Sequence, residues 1–309
     1  NIDPANIWQE YPRPIMERED WRNLNGLWDY AIVSKDSPRP KEWQGEILVP
    51  FCAESALSGV GKEVGEENAL WYKRSFSVPS SWKGRDVMLN FGAVDWQTDV
   101  WVNGAKVGSH TGGYTPFSLN ITQALKSKGD NEVVVRVWDP TDKGHQPRGK
   151  QISKPELIWY TPVTGIWQTV WLEPVERKHV AGLRILPDID RNTLKVDVNP
   201  SEKISNGMVE VVVKDNGRQI ASGRAVTGES VIVDMPSDIE LWSPENPKLY
   251  DLEIKLMSDG KTLDKVDSYA AMRKFSMKMG DKGVVRLQLN NKNLFHYGLL
   301  DQGWWPDGL

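Results

Sequence analysis

The feature that most limits this chain is a rhythm of short, partly alternating segments broken by turn residues. No stretch of ten or more residues holds an apolar 3.6-residue period. In the first half, LWYKRSFSV (70–78), VMLNF (87–91), TDVWVNG (98–104), NEVVVRVWD (131–139) and GIWQTVWLEPV (165–175) are rich in β-branched and aromatic residues. Asn103-Gly104 predicts a two-residue hairpin turn, because both residues tolerate positive φ. ITQALKSKG (121–129) has room for one short helical turn, capped by Asn120 or Thr122. The expectation is an antiparallel sandwich rather than a βα repeat.

A second rhythm occupies 179–273, where GLRILPDI, TLKVDVNP, GMVEVVVKDNG, ESVIVDMP and LYDLEIKLMSDG follow one another. LKVDV and YDLEIKL alternate almost regularly, as a sheet with one wet face requires. Turns are signalled at Asp215-Asn216-Gly217 and Ser258-Asp259-Gly260. The size suits an immunoglobulin-like sandwich of about seven strands, without the Cys…Trp…Cys pattern of antibody domains. Composition marks the boundary: of 15 tryptophans, 12 lie between Trp8 and Trp171. The expected divisions are therefore 1–178, 179–273 and a tail, 274–309. In that tail VVRLQL–NNKN–LFHYG predicts a hairpin, followed by a loop.

Charge and motif content exclude several classes. The net charge is −4 over 309 residues, with no Lys/Arg block suited to a phosphate backbone, so nucleic acid is not an expected partner. No apolar run reaches 18 residues, so no membrane span is expected. The N-terminus has no signal-peptide pattern, which leaves open a signal already removed. The single cysteine, Cys52, permits no internal disulfide and sits in the apolar stretch LVPFCAESAL, as a buried thiol would. The four histidines have no short metal-ligand spacing, and no phosphate loop, dinucleotide fingerprint or Gly-x-Ser-x-Gly elbow occurs. Neither a metal nor a cofactor is expected.

Acids and aromatics carry what chemistry remains. Facing carboxylates perform glycoside hydrolysis, and the acids of the Trp-rich half are Glu54, Asp95, Asp99, Asp139, Asp142 and Glu156. Turn-making or solvation is the favoured reading for Asp95, Asp99, Asp139 and Asp142, with sugar contact kept as the alternative for Asp142. Trp159 and Tyr160 are adjacent, so in a strand they face opposite ways, one to the core and one to a ligand; packing of both is the competing reading. HTGGYTPF (110–117) reads mainly as scaffold. In the tail LLDQGWWPDGL, Asp301 and Gln302 could hydrogen-bond a polyol and Trp304 or Trp305 could stack on it. The same loop could instead be an interdomain plug.

LNGLWDY (24–30), ILVPFCAES (47–55), LWYKRSF (70–76), AVDWQTDVWVNGAKVGSHTGGYTPFSLNIT (93–122), TGIWQTVWLEPV (164–175), LWSPENPKLYDLEI (241–254), MRKF (272–275) and LLDQGWWPDGL together resemble glycoside hydrolase family 2. That family contains β-galactosidases, β-glucuronidases and β-mannosidases. The resemblance implies an all-β chain: a jelly-roll sugar-binding sandwich, then an immunoglobulin-like sandwich, ending at the start of a (β/α)8 barrel. It further implies a retaining mechanism with two barrel glutamates. The chain stops before either glutamate could occur, so no catalytic residue is assigned and the segment is expected to be inactive alone. Where several members place a carboxylate five residues before the Thr-Gly-Ile motif, this sequence has Trp159, and the closest acid is Glu156. This argues against a galactosidase-type cation site and favours stacking at Trp159.

The expected substrate-binding residues are thus Asp142, Trp159, Tyr160, Asp301, Trp304 and Trp305. The expected partners are a β-linked glycoside and the barrel, with sheet edges and Trp-rich faces also open to a neighbouring subunit. Two other readings stand beside this one, a free-standing carbohydrate-binding module and a structural sandwich pair. A periplasmic or secreted location is slightly favoured over a cytoplasmic one.

Overall fold

A computed structural model describes residues 2–280, 283–302 and 307–309. The chain is all-β and divides into two compact units. One comprises Asn1–Pro12, Asp20–Pro174 and Gln302–Leu309; the other comprises Arg13–Glu19 and Val175–Asp301.

The first unit is a sandwich. Its larger sheet has six strands in the order Gly45–Val49, Gly26–Ser34, Asn68–Phe76, Asn131–Trp138, Gln97–Val102 and Ala105–Thr111, and neighbours pair antiparallel. Opposite it, Arg22–Asn23, Val170–Val175, Asp86–Phe91 and Phe117–Asn120 form a four-stranded sheet. Alternation explains the core: Val133, Val135 and Val137 enter it from one strand, Val100 and Val102 from the next, and Leu89, Phe91, Val170 and Leu172 meet them from the other sheet. Trp28, Tyr72 and Ile47 are among the largest fully buried side chains. The expected hairpin is present, with Asn103 at φ 50° and Gly104 at φ 84° joining Gln97–Val102 to Ala105–Thr111. The short helical turn is a 3-10 turn over Thr122–Ala124, and Asn120 Oδ1 accepts from the Thr122 amide at 3.0 Å. GIWQTVWLEPV is broken rather than continuous. Gly165–Ile166 pairs with Val94–Asp95, and Val170–Val175 belongs to the four-stranded sheet. Cys52 is buried, and burial pushes its thiol well above the usual range.

The sandwich of the second unit has seven described strands in two sheets. Val180–Asp188, Thr193–Pro200 and Val231–Asp234 make one; Arg218–Val226, Gly207–Asp215, Tyr250–Ser258 and Lys261–Ala270 make the other. Both predicted turns hold positive φ, at Asn216 and Gly217 and at Asp259 and Gly260. Arg218–Val226 and Lys261–Ala270 lack the regular apolar beat that marked their partners in the sequence, yet each completes a hairpin after one of those turns. The segment 13–19 lies with this unit. Met16 enters its core, and buried Arg18 reaches both carboxylate oxygens of Asp264, at 2.6 and 2.9 Å.

The tail departs from the predicted hairpin. Val285–Leu289 pairs mainly with Phe275–Met279, while only Lys292–Asn293 pairs on its other side. Leu294–Gly298 is not in a strand. Asn290 and Asn291, both at positive φ, make the tight reversal, and two residues of pairing are all that follow it.

Candidate functional site

The Thr164-Gly165-Ile166 motif organises the first unit's loops. A Cβ on Gly165 (φ 102°) would stand 2.0 Å from the Tyr72 hydroxyl, so only glycine permits this approach. The Tyr72 hydroxyl accepts from the Ile166 amide at 3.1 Å. Thr164 ties three elements together. Its amide donates to Glu54 Oε2 at 2.8 Å, its hydroxyl lies 3.5 Å from Asp139 Oδ2, and its carbonyl accepts from the Ala53 amide.

Three carboxyl groups are buried around this motif. Desolvation pushes Glu54 up to about 8, opposed by the hydrogen bonds from Thr164. Glu54 Oε1 is buried without a hydrogen-bond partner among the described residues. Asp95, opposite Gly165 in the ladder, is pushed up to about 8, first by desolvation and then by the charge of Asp139, against a hydrogen bond with Gln151. Asp139 rises to about 6 through desolvation, opposed by Thr141 and Thr164. At neutral pH, Glu54 and Asp95 therefore hold protons. Asp139 behaves as the sequence suggested, accepting from the Thr141 amide two residues on at 2.9 Å. Asp99 is neither a turn residue nor free in solvent; within its strand it pairs with Lys106 at 2.7 Å and Arg136 at 3.7 Å.

Asp95 is the residue that sequence reasoning placed wrongly, as a turn or solvated acid. It is buried, and a Cβ on Gly113 would lie 2.5 Å from its Oδ1, so the Gly-Gly of HTGGYTPF allows a backbone to close over the carboxyl. Trp167 Nε1 donates to the Gly113 carbonyl at 2.7 Å, and Tyr114 meets Trp167 edge-on. The usable signal was the pairing of a glycine pair with an acid beside an aromatic, but their proximity is tertiary.

The predicted site residues separate. Asp142 accepts from the Ser153 hydroxyl at 2.7 Å, which holds its carboxyl below the usual range. Tyr160 is half-buried; its hydroxyl donates to Gln302 Oε1 at 2.7 Å, and the Lys150 ammonium donates to the same oxygen at 2.8 Å. The Ile152 amide donates to the Tyr160 carbonyl, which brings the Asp142–Ser153 contact and the Tyr160–Gln302 contact onto one loop system. Trp159 is partly exposed and its amide closes a turn onto the Glu156 carbonyl. Asp301 is exposed and is grouped with the second unit. Trp304 and Trp305 lie outside the described residues. Beyond them, the Asp307 carbonyl accepts from the Leu57 amide at 3.0 Å and the Ser55 hydroxyl at 2.8 Å. Among the described residues no group of three or more His, Cys, Asp or Glu side chains is arranged to hold a metal ion.

The first unit is thus a Trp-rich sandwich with polar loops at its Thr-Gly-Ile end, and the second is built on a seven-stranded sandwich. Residues 61–173 match the profile of the glycosyl hydrolases family 2 sugar binding domain, and residues 178–273 match that of glycosyl hydrolases family 2. The chain belongs to glycosyl hydrolase family 2. It is 29% identical over 216 residues to a beta-galactosidase of Thermoanaerobacter pseudethanolicus, covering 66% of this chain and 28% of that one. It is 24% identical to a beta-glucuronidase of Paenibacillus borealis, covering 93% of this chain and 50% of that one. The crystal structure of Ruminococcus gnavus beta-glucuronidase matches with a TM-score of 0.74 at 19% identity, over 94% of this chain and 50% of that one. The chain thus spans 28–50% of the length of these relatives.

Proposed function

We propose that these residues form the non-catalytic, pocket-bordering part of a retaining β-glycosidase. The observation that carries this reading is the pairing of two successive family 2 domains with coverage of only 28–50% of the glycosidases they match. On this reading the chemistry resides in a barrel outside the 309 residues, and the two sandwiches support it. The loop system of Asp142, Lys150 and Tyr160 supplies polar groups to the rim of the sugar pocket, with Trp159 offering a ring face.

The buried acids fit a supporting role. Glu54 and Asp139 are engaged by Thr164 and Thr141, so they hold loops in place rather than facing a glycosidic bond. The relatives' names divide between glucuronides and galactosides, and Trp159, standing where several members carry an acid, favours neither by transfer.

Turnover tests the proposal. The purified 309-residue chain should leave p-nitrophenyl β-glucuronide and β-galactoside intact, whereas a chain extended through the downstream coding sequence should hydrolyse one of them. Hydrolysis by the 309-residue chain, or a stop codon directly after Leu309, would overturn it.

A further inference from the structure

The ribbon that follows the second sandwich has two unlike faces. Phe275–Met279 and Val285–Leu289 pair antiparallel, and the register sets Phe275 opposite Leu289, Met277 opposite Leu287 and Met279 opposite Val285. Side chains alternate across a strand, so these six share one face. The intervening residues share the other, with Ser276 opposite Gln288 and Lys278 opposite Arg286. Apolar on one side and polar on the other is the pattern of a sheet packed on one face.

Only the base of that apolar face is packed. Leu289 is buried, whereas Phe275, Met277 and Met279 are 59, 73 and 62% exposed and Val285 and Leu287 are 52 and 45% exposed. Outside 275–300, Leu157, Ile158 and Ile232 are the only large apolar side chains more than half exposed among the described residues. The base holds the ribbon in place. Asn290 Oδ1 accepts from the Lys274 amide at 3.0 Å, the Asn290 amide donates to the Lys274 carbonyl at 2.8 Å, and Asn290 Nδ2 donates to the Trp242 carbonyl at 2.9 Å. Arg273 lies over the rings of both Trp242 and Phe275, 4.5 and 5.1 Å from their centres. A contiguous apolar face left in water beyond such an anchor marks an interaction surface.

The neighbouring chain indicates what covers it. The exposed apolar run continues past the ribbon, where Phe295, Tyr297 and Leu299 alternate along 294–300, and Leu294 and Leu300 fall in the other set. A segment apolar on both sides suits a strand covered on both faces, yet 294–300 pairs with no strand among the described residues. A second copy seated on the ribbon alone would leave that segment bare. Chain continuing from it is tethered beside both surfaces, and the tether gives it a high effective concentration there. The matched relatives are two to more than three times as long as the share this chain covers, so the glycosidase reading supplies a further domain to dock.

We propose that the apolar face of 275–289 is the docking surface for the chain downstream of Leu309, which buries Met277, Met279, Val285 and Leu287 and leaves Lys278 and Arg286 in solvent. The existence of that occupant rests on the glycosidase reading; the bare face and its polarity do not. Unbranched methionines at the centre of the face adapt to an irregular apolar partner.

The two methionines are also the probe. Hydrogen peroxide converts an accessible thioether to the sulfoxide, with water as the other product, and mass spectrometry of peptides reads the rate at each site. Met277 and Met279 should oxidise rapidly in the 309-residue chain and at least about tenfold more slowly in the chain extended through the downstream coding sequence. Buried Met16 and Met272 report that both chains stay folded. In the extended chain, Met277→Glu should return Met279 to within about twofold of its unprotected rate, whereas Lys278→Glu, one residue along on the polar face, should leave protection unchanged. Equal oxidation in the two chains, or protection that survives Met277→Glu, would overturn the proposal. Protection that appears in the 309-residue chain as its concentration rises would overturn it too, by assigning the face to a second copy. An extended chain that hydrolyses a glycoside with both methionines unprotected sinks the docking face and keeps the glycosidase reading; protection without hydrolysis does the reverse. A stop codon directly after Leu309 would end both.

Discussion

The two sandwiches treat buried charge in opposite ways. In the second, Arg18 and Asp264 are both nearly inaccessible and paired at 2.6 Å, and Asp264 also accepts from the Val180 amide. Each partner offsets the cost of burying the other. In the first, Glu54, Asp95 and Asp139 are buried among neutral donors, from Thr164, Gln151 and Thr141, and burial drives protons onto them. The second unit has thereby fixed an N-terminal segment with an ion pair. The first has fixed the loops around its Thr-Gly-Ile motif with buried acids, two of them raised to about 8. One arrangement is sensitive to losing a partner, the other to losing a proton.

The largest expected effect breaks the ion pair. Arg18→Ala leaves Asp264 as an uncompensated buried charge and should destabilise the second unit by about 3–5 kcal/mol in a denaturant titration. The double replacement Arg18→Met with Asp264→Leu should recover most of that loss, which separates the cost of an orphaned charge from the worth of the pair. Next is Gly165→Ala in the first unit. A methyl group at φ 102° meeting the Tyr72 hydroxyl should cost roughly 3 kcal/mol, read from the same titration.

The proton-dependent side of the comparison comes third. Glu54 keeps its proton in the folded state up to about 8, whereas its ordinary value is 4.5, so unfolding releases a proton between those values. Its contribution is fully present below 4.5 and is lost as pH rises toward 8, as is that of Asp95 over a similar window. The first unit's melting temperature should therefore fall as pH rises across this interval. Glu54→Gln should flatten the fall; an unchanged pH profile would show that the carboxyl is ionised in the fold.

The smallest effect should come from surface charge. Glu253 is served by Lys214, Lys255 and Lys265 at 3.0, 2.8 and 3.4 Å, and the first two hydrogen bonds hold it down to about 2. Removing one lysine leaves two, so Lys265→Ala should change stability by less than about 0.5 kcal/mol. A larger loss would mean that exposed networks in the second unit matter as much as its buried pair.

Much of the architecture was legible because its determinants are local. Alternation marked Thr193–Pro200 and Tyr250–Ser258, and Asn103-Gly104, Asn216-Gly217 and Asp259-Gly260 mark turns because few other residues accept positive φ. Arg218–Val226 and Lys261–Ala270 were less legible, since their burial comes from the hairpin partner more than from their own pattern. LFHYG read as a strand from composition, but β-rich residues make no strand without a partner at hydrogen-bonding distance. Of the site residues, Tyr160 is brought to Gln302 and Asp142 to Ser153, while Asp95 was read as a turn or solvated acid and proved buried.

The sequence by itself determined an all-β chain, two successive sandwiches, the positions of their tight turns and membership of glycosyl hydrolase family 2. Those follow from period, turn chemistry and ordered motifs, all of which act within a few residues. Tertiary structure alone decided that segment 13–19 lies with the second unit, that Glu54 meets Thr164 across 110 positions, and that Arg18 meets Asp264 across 246. Burial and protonation of a carboxyl depend on what the distant chain puts around it, and that information is written at both ends of each contact rather than at either one.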